Sequence, residues 1–245
     1  MTESRNSALV ETGRRAHRIV ARFRERSRQR RAAMFRRFFK INESTRILDL
    51  GGGNGVHVHA VLHGLPIQPS NVHVADISRQ AVEQAEDRFG FTPVVLQESG
   101  PLPFDKWSFD IVFCSSVLEH VTVPKGDVWK LPDERIFSER AREQQRAFAG
   151  EISRIGLGYF VQVPFRGFPI ETHTWLPLFA QLPRPWQVAV MRQTNRFWIK
   201  KTKPDFYLPT KDEFASFFPG AVLELEHAGG FVKSLIAIKA SPLSR

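Results

Sequence analysis

Residues 46–55, Arg-Ile-Leu-Asp-Leu-Gly-Gly-Gly-Asn-Gly, decide the fold of this 245-residue chain. The apolar residues predict a short buried strand, and the glycines that follow at once predict a tight turn into a helix. Glycine tolerates positive φ and lets the backbone approach a ligand, and the free N–H groups of the helix point at the turn. Such a turn suits a pyrophosphate in dinucleotide folds, but the carboxylate of Asp49 favours a ligand with a positive amine.

A second strand is predicted over residues 72–76, and it ends in Asp76. An acid at this distance from a glycine turn can accept hydrogen bonds from both ribose hydroxyls of an adenosine. The alternative role is a helix N-cap, because a helical run to Phe89 follows. Ser78 can cap that helix instead, which leaves Asp76 for the ribose.

Two more strands are predicted at residues 93–98 and 111–114. The first ends in Gln97 and Glu98. The second ends in Cys114, and Ser-Ser-Val-Leu-Glu-His-Val follows it at residues 115–121. The single cysteine excludes an internal disulfide and a cysteine-built metal site.

Together these motifs resemble those of the class I S-adenosylmethionine (SAM) methyltransferases, within the methyltransferase type 11 group. The resemblance implies an α/β fold with a Rossmann-like, seven-stranded, mostly parallel sheet, a C-terminal antiparallel hairpin and helices on both faces. It implies S-adenosyl-L-methionine as cofactor. The cofactor-binding residues that it implies are Asp49, Gly51, Gly53, Gly55, Asp76, Ile77, Gln97, Glu98, Cys114 and Ser115.

The basic character of the chain is concentrated near its N-terminus. Residues 14–40 hold twelve Lys or Arg and one acid, a net charge of +11, while the other 218 residues carry a net charge of −1. This segment predicts one helix with an apolar patch, Met34, Phe35, Phe38 and Phe39, that docks on the domain. Three roles stay open for its arginines: a solvated face, contact with an anionic membrane surface, or nucleic-acid binding, which is the least favoured because no nucleic-acid motif accompanies the charge.

Four regions are expected: a basic N-terminal helical arm (1–40), a SAM-binding core (41–164), an aromatic and proline-rich insertion or lid that binds the acceptor (165–210), and a C-terminal helix with a hairpin of strands 221–227 and 231–239 (211–245). No apolar run is long enough to span a membrane and no secretory leader is recognisable, so the prediction is a cytoplasmic protein, peripheral to the inner face of the membrane if the arm binds it.

The insertion contains nine aromatic residues and six prolines, which predicts an absence of long regular elements. Its residues 168–177 resemble a segment of methyltransferases linked to bacterial surface-glycan and lipid-linked-sugar pathways. Within it His173 is the first candidate for a catalytic base, with Glu171 as its partner, and His120 is the second. The alternative is that Glu171 and His173 only fix the conformation of the insertion. No metal site is predicted, since His57, His59 and His63 lack a metal-ligand pattern.

The sequence therefore predicts a SAM-dependent O-methyltransferase that acts on a small-molecule or glycan acceptor. Two alternatives stay open: an RNA methyltransferase that holds phosphates with the basic arm, and a non-catalytic SAM-binding partner subunit. The oligomeric state and the methylated atom are not specified by the sequence.

Overall fold

The computed structural model describes residues 25–98, 100–198 and 200–240 and places seven strands in one sheet. The strand order is β3-β2-β1-β4-β5-β7-β6. The strands are β1 (Ile47–Leu50), β2 (Val72–Asp76), β3 (Thr92–Val95), β4 (Phe109–Ser115), β5 (Gly156–Pro164), β6 (Val222–Ala228) and β7 (Phe231–Lys239).

Strands β1 to β5 are parallel, whereas β7 runs antiparallel to both β5 and β6. The predicted fold class is thus confirmed, including the C-terminal hairpin, whose turn contains Gly229 and Gly230 at positive φ. Because carboxyl ends of parallel strands meet at one edge, the glycine turn, Asp76 and Ser115 lie at the same edge of the sheet. The start of β7 also reaches this edge, since Ser234 is paired with Pro164.

Six helices accompany the sheet in the described part of the chain. They are α1 (residues 25–38), α2 (Val56–Leu62), α3 (Arg79–Phe89), α4 (Glu134–Ile155), α5 (Arg184–Thr194) and α6 (Lys211–Phe217). Local sequence explains several helix starts: the Ser78 and Asp133 side chains cap α3 and α4, and Thr210 with Glu213 forms a capping box on α6. None of these helices is long and apolar enough to cross a bilayer.

Two hydrophobic cores lie on the two faces of the sheet. Phe35 and Phe39 pack with α2, α3 and the strands on one face. Helices α4 and α6 pack on the other face through side chains that include Ile152 and Phe214. Alternation along β1 supplies both cores, because Ile47 faces the first and Leu48 the second.

The predicted docking of the N-terminal arm agrees with the structure where it is described. Phe35 and Phe39 are buried, and Phe35 contacts the rings of Phe113 and Phe160 at centroid distances of 6.1 and 5.8 Å. The helix ends at residue 38 rather than 40, and its predicted part from residue 14 to 24 lies outside the described residues.

Some element boundaries differ from those predicted. Strand β3 ends at Val95, so Gln97 and Glu98 lie in the following loop. The insertion contains an 11-residue helix, α5, although its prolines predicted no long element. Pro185 causes no break because it lies in the first turn of α5, where its missing N–H has no helical partner to lose.

Candidate functional site

The glycine turn after β1 is close to neighbouring side chains at two of its glycines and open at a third. Gly51, Gly53 and Gly55 have φ values of 71°, 55° and 72°, which disfavour any side chain. A Cβ on Gly51 would lie 2.5 Å from the Val117 side chain, and one on Gly55 3.1 Å from Ala85. A Cβ on Gly53 would meet nothing within 4 Å, so the turn opens toward free space at that residue.

Asp49 lies beneath this turn and is 1% exposed. Its Oδ2 has no hydrogen-bond partner among the described residues. Gly52 folds directly against the carboxylate, and a Cβ there would lie 2.1 Å from Oδ2. Burial, assisted by the charge of Asp76, raises the pKa of Asp49 to about 8. The sequence interpretation named the other three glycines and missed Gly52. This residue must be glycine because a side chain would collide with Asp49, not because of its backbone conformation.

Asp76 at the end of β2 is hydrogen-bonded to the glycine turn. Its Oδ2 accepts a hydrogen bond from the Gly53 N–H at 3.0 Å, and its Oδ1 accepts one from the Ser78 N–H at 2.9 Å. The Ser78 hydroxyl oxygen accepts from the Ala81 N–H, which confirms Ser78 as the α3 cap. Asp76 is thus tied to the backbone, but each oxygen retains a further lone pair for a ligand hydroxyl. Ile77 beside it is 41% exposed.

The remaining residues predicted for the cofactor site differ in exposure. Gln97 and Glu98 are exposed after β3, and Glu98 lies 3.7 Å from the Lys125 ammonium. Cys114 is fully buried, and burial raises the pKa of its thiol well above the usual value, so it is not a nucleophile. Ser115 is half-buried and donates a 2.7 Å hydrogen bond to Gln162 Oε1 on β5.

A buried basic network reaches Ser115 from the N-terminal helix. Arg31 Nη1 donates to Ser115 Oγ at 2.8 Å, and Arg31 Nε lies 4.0 Å from Glu226 on β6. Lys233 on β7 lies 3.4 Å from the same carboxylate and donates to Ser27 Oγ. No sequence pattern distinguishes Arg31 from the other basic residues of the arm.

The end of β4 is held by a strained turn. Ser116 has φ of 59°, which is unusual for a residue with a side chain. Its N–H donates to the Gln162 carbonyl at 2.9 Å, and its hydroxyl donates to Gln162 Oε1 at 3.2 Å. Gln162, buried within the otherwise apolar β5, was not predicted as a site residue, although a polar side chain in such a strand is itself a signal.

The three predicted catalytic residues are brought together from two loops. His120 follows β4 in a 3₁₀ turn, while Glu171 and His173 follow β5 in the insertion. The rings of His120 and His173 meet edge to face with centroids 4.8 Å apart. Glu171 Oε1 lies 2.6 Å from His173 Nδ1, and its Oε2 accepts bonds from the N–H and hydroxyl of Thr174. These bonds also fix the conformation of the insertion, which is the structural role considered for Glu171 and His173. That role is compatible with a part in catalysis.

Glu119 adds a second carboxylate to this cluster and was not predicted. It is fully buried, and its Oε1 lies 3.7 Å from His173 Nε2. Burial alone would lower the pKa of His173, but the contacts with Glu119 and Glu171 outweigh it and raise the pKa to about 9. His173 therefore carries a proton at neutral pH, which is unfavourable for the base role predicted for it.

His120 differs from His173 in its surroundings. Its side chain is 35% exposed, and its Nδ1 lies 3.4 Å from Asp205 Oδ1. Contacts with His120 hold the pKa of Asp205 below its usual value despite partial burial, so Asp205 stays ionised and orients the ring. By contrast, His59 is far from any such array and stacks on Phe89 with centroids 4.2 Å apart.

Comparisons with known proteins agree with this geometry. Residues 48–131, which contain the glycine turn, Asp76 and the 3₁₀ turn, match the family model described as a methyltransferase domain. This segment, about a third of the chain, is therefore similar to a methyltransferase domain.

The individual proteins to which the chain is similar are distant from it in sequence. The mitochondrial ubiquinone biosynthesis O-methyltransferase of Schizosaccharomyces pombe is 25% identical over 190 residues, 72% of this chain and 63% of that protein. The chain thus spans less than two thirds of that relative's length. A Bordetella parapertussis structure described as a possible exported protein shares the fold with a TM-score of 0.51 and 13% identity, over 87% of this chain and 67% of the other. A SAM-dependent methyltransferase from Aquifex aeolicus gives a TM-score of 0.47 and 14% identity, over 85% and 88% of the two chains.

Proposed function

We propose that this protein is a SAM-dependent O-methyltransferase whose acceptor is the hydroxyl of a small molecule or of a glycan or lipid-linked sugar. The observation that carries the proposal is the array of Glu119, His120, His173 and Glu171, which lies where the loops after β4 and β5 meet. Hydroxyl methylation requires the loss of a proton, and this array can handle one.

The cofactor half of the site is assigned to the glycine turn and the acids beneath it. The unpartnered Asp49 Oδ2 and the open space above Gly53 fit the amino-acid end of the cofactor. Asp76 would accept the ribose hydroxyls, with Ile77 against the adenine. Gln97 and Glu98 would lie near the base, and Cys114 and Ser115 near the methionine chain. When bound, SAM supplies a sulfonium with an already activated methyl group.

The acceptor half is assigned to the two histidines. Because His173 carries a proton, it can donate a hydrogen bond to an acceptor oxygen. His120, which is exposed and oriented by Asp205, is then better placed to take the hydroxyl proton. Most of the remaining contribution is positioning of the acceptor and exclusion of water.

The insertion at residues 165–210 is proposed as the wall that binds the acceptor. Three of its aromatic side chains are exposed: Trp175 at 36%, Trp186 at 65% and Phe197 at 70%. Aromatic faces pack against sugar rings, and the basic residues of the insertion suit a phosphate-linked acceptor. The O-methyltransferase name of the fungal relative supports the choice of an oxygen acceptor.

Peripheral contact with an anionic membrane remains part of the proposal, but several arginines in the described part of the arm are engaged on the domain. Arg30 donates to the His227 carbonyl, Arg36 to the His63 carbonyl, and Arg37 pairs with Glu224. These arginines hold α1 on the domain. A membrane contact, or a nucleic-acid contact, would therefore depend on the other basic residues of the arm, which include the exposed Arg26 and Lys40.

Calorimetric titration of SAM and of its demethylated product tests the cofactor site. The wild type should bind both, Asp76→Ala should lose at least tenfold in affinity, and Asp87→Ala, an exposed acid on α3, should bind like the wild type. Absence of binding to the folded wild type would refute the assignment.

Methyl transfer from labelled SAM to a panel of sugars, lipid-linked glycans and small phenols tests the reaction. His173→Gln and His120→Gln should lose turnover while keeping their affinity for SAM. Cofactor binding with no product from any acceptor would instead support a non-catalytic SAM-binding subunit.

A further inference from the structure

The loops after β4 and β5 place a set of metal-ligand groups at one point. Glu119, His120 and His173 each offer one ligand atom, and these three atoms lie within 4.8 Å of one another. Two imidazoles and one carboxylate are a common ligand set for a divalent transition metal, zinc in particular, when one coordination position must stay open.

Glu119 provides an independent indication that this point binds a cation. The residue is 0% exposed, and neither of its oxygens has a hydrogen-bond partner among the described residues. Buried carboxylates are normally hydrogen-bonded or bound to a metal ion. The imidazole of His173 faces Glu119 at 3.7 Å from Nε2 to Oε1, which is beyond hydrogen-bond distance.

The surrounding residues orient both rings in the way that metal-ligating histidines require. Nδ1 of His173 lies 2.6 Å from Glu171 Oε1, which directs Nε2 toward Glu119. Nδ1 of His120 lies 3.4 Å from Asp205 Oδ1. Phe206 stacks on the His173 ring with centroids 4.4 Å apart and limits its rotation. A carboxylate on the second nitrogen of a ligating histidine fixes its orientation and increases its basicity.

The charge of the cluster also favours a cation. Three carboxylates, Glu119, Glu171 and Asp205, surround two imidazoles. A divalent ion between these groups would balance part of the negative charge of the carboxylates. Ligands about 2.1 Å from a zinc ion are about 3.4 Å apart, so the ligand atoms need to approach one another by about 1 Å.

We propose that Glu119, His120 and His173 bind one divalent transition metal ion, with Glu171 and Asp205 as the outer groups that orient the histidines. This differs from the sequence prediction of no metal site. The binding itself is independent of the proposed function. Its effect on the reaction rests on that function: a bound ion with an open position would lower the pKa of an acceptor hydroxyl, and the ion rather than His120 would then promote proton loss.

The test is titration of chelator-treated, untagged protein with Zn²⁺ by calorimetry and with Co²⁺ by visible absorption. One equivalent should bind, and Co²⁺ should give the absorption bands of a low-coordinate nitrogen and oxygen site. Glu119→Gln and His120→Gln should weaken binding at least a hundredfold, and Glu171→Gln by about ten- to a hundredfold. His63→Gln, which changes a surface histidine outside the cluster, is the matched control and should bind like the wild type.

SAM titration of the same samples separates the possible failures. Because His120 is exposed, its variant should fold and retain SAM affinity even if Glu119→Gln does not. Normal SAM binding without stoichiometric metal binding would overturn the metal site alone and leave a protonated His173 between two carboxylates. Metal binding unaffected by Glu119→Gln and His120→Gln would also overturn it. Metal binding without any methyl transfer would leave the metal site intact and overturn the proposed function.

Discussion

Replacement of Asp49 by asparagine should stabilise the cofactor-free protein and weaken its affinity for SAM. The carboxyl group is buried beneath the glycine turn, and its pKa is raised to about 8, chiefly by burial. Between pH 4 and 8 the unfolded chain releases this proton while the folded protein keeps it. Folding therefore takes up a proton, and the stability contributed by Asp49 falls as the pH rises through this range.

The pKa shift sets the size of the effect. A rise of the Asp49 pKa from 3.8 to about 8 lowers the free energy of unfolding by roughly 6 kcal/mol above pH 8, at about 1.4 kcal/mol per pKa unit. At pH 7 the same shift lowers it by about 4 kcal/mol. Movement of the glycine turn toward the carboxylate would reduce these values. We therefore expect Asp49→Asn to be more stable than the wild type by at least about 1 kcal/mol at pH 9, or about 2–4 °C in Tm, with the difference shrinking toward pH 5.

Denaturant unfolding at pH 5, 7 and 9, with and without SAM, measures both halves of the prediction. The exposed Asp87→Asn variant is the control and should show no pH-dependent difference from the wild type. At pH 9, where the wild-type carboxyl group is ionised, SAM should bind Asp49→Asn at least tenfold more weakly, since the ligand ammonium loses its counter-charge. A stability difference that does not grow with pH would refute the reasoning about the buried carboxyl group.

Three further changes test other parts of the structure. Gly52→Ala places a Cβ 2.1 Å from the buried carboxylate, so thermal unfolding should show a loss of about 1–3 kcal/mol, and calorimetry at least tenfold weaker SAM binding. Gly150→Ala, on the exposed side of α4 where a Cβ meets nothing within 4 Å, should add about 0.5–1 kcal/mol to stability and leave SAM binding unchanged. The double change of Arg31 and Lys233 to Met leaves Glu226 as a buried charge and should cost about 3–5 kcal/mol of stability in urea unfolding. Adding Glu226→Gln should recover most of this loss, and equal instability of the double and triple variants would contradict the prediction.

The fold could be predicted because its determinants are local. The apolar run before the glycines, the acid at residue 76 and the cap at Ser78 each specify one short element, and together they specify a parallel sheet with a ligand edge. The hairpin was equally predictable, since two glycines separate two apolar runs. Strand β3 was placed too far along the chain because Leu96 continues its apolar pattern after the ladder has ended.

The candidate site was predictable only in part, because side chains from distant segments form it. The sequence indicated that His120 and His173 were chemically interesting, but not that their rings touch. Glu119 was visible in the Leu-Glu-His-Val motif, yet neither its complete burial nor its approach to His173 of the insertion could be predicted from that motif. Arg31 could not be selected at all, since its contact with Ser115 joins residues 84 positions apart in the chain.

The contacts of α1 also bear on the order in which the site can form. Helix α1 is held by groups of β6 and β7: Arg30 donates to the His227 carbonyl, Arg37 pairs with Glu224, and Lys233 donates to Ser27. The first described helix to leave the ribosome can pack Phe35 on β4 and β5, but it gains these polar contacts only after the last two strands have been made. Until they emerge, Arg31 has no Glu226 to pair with beside Ser115. The rest of the sheet can assemble earlier, but closure of this end of the site is a late event in biosynthesis.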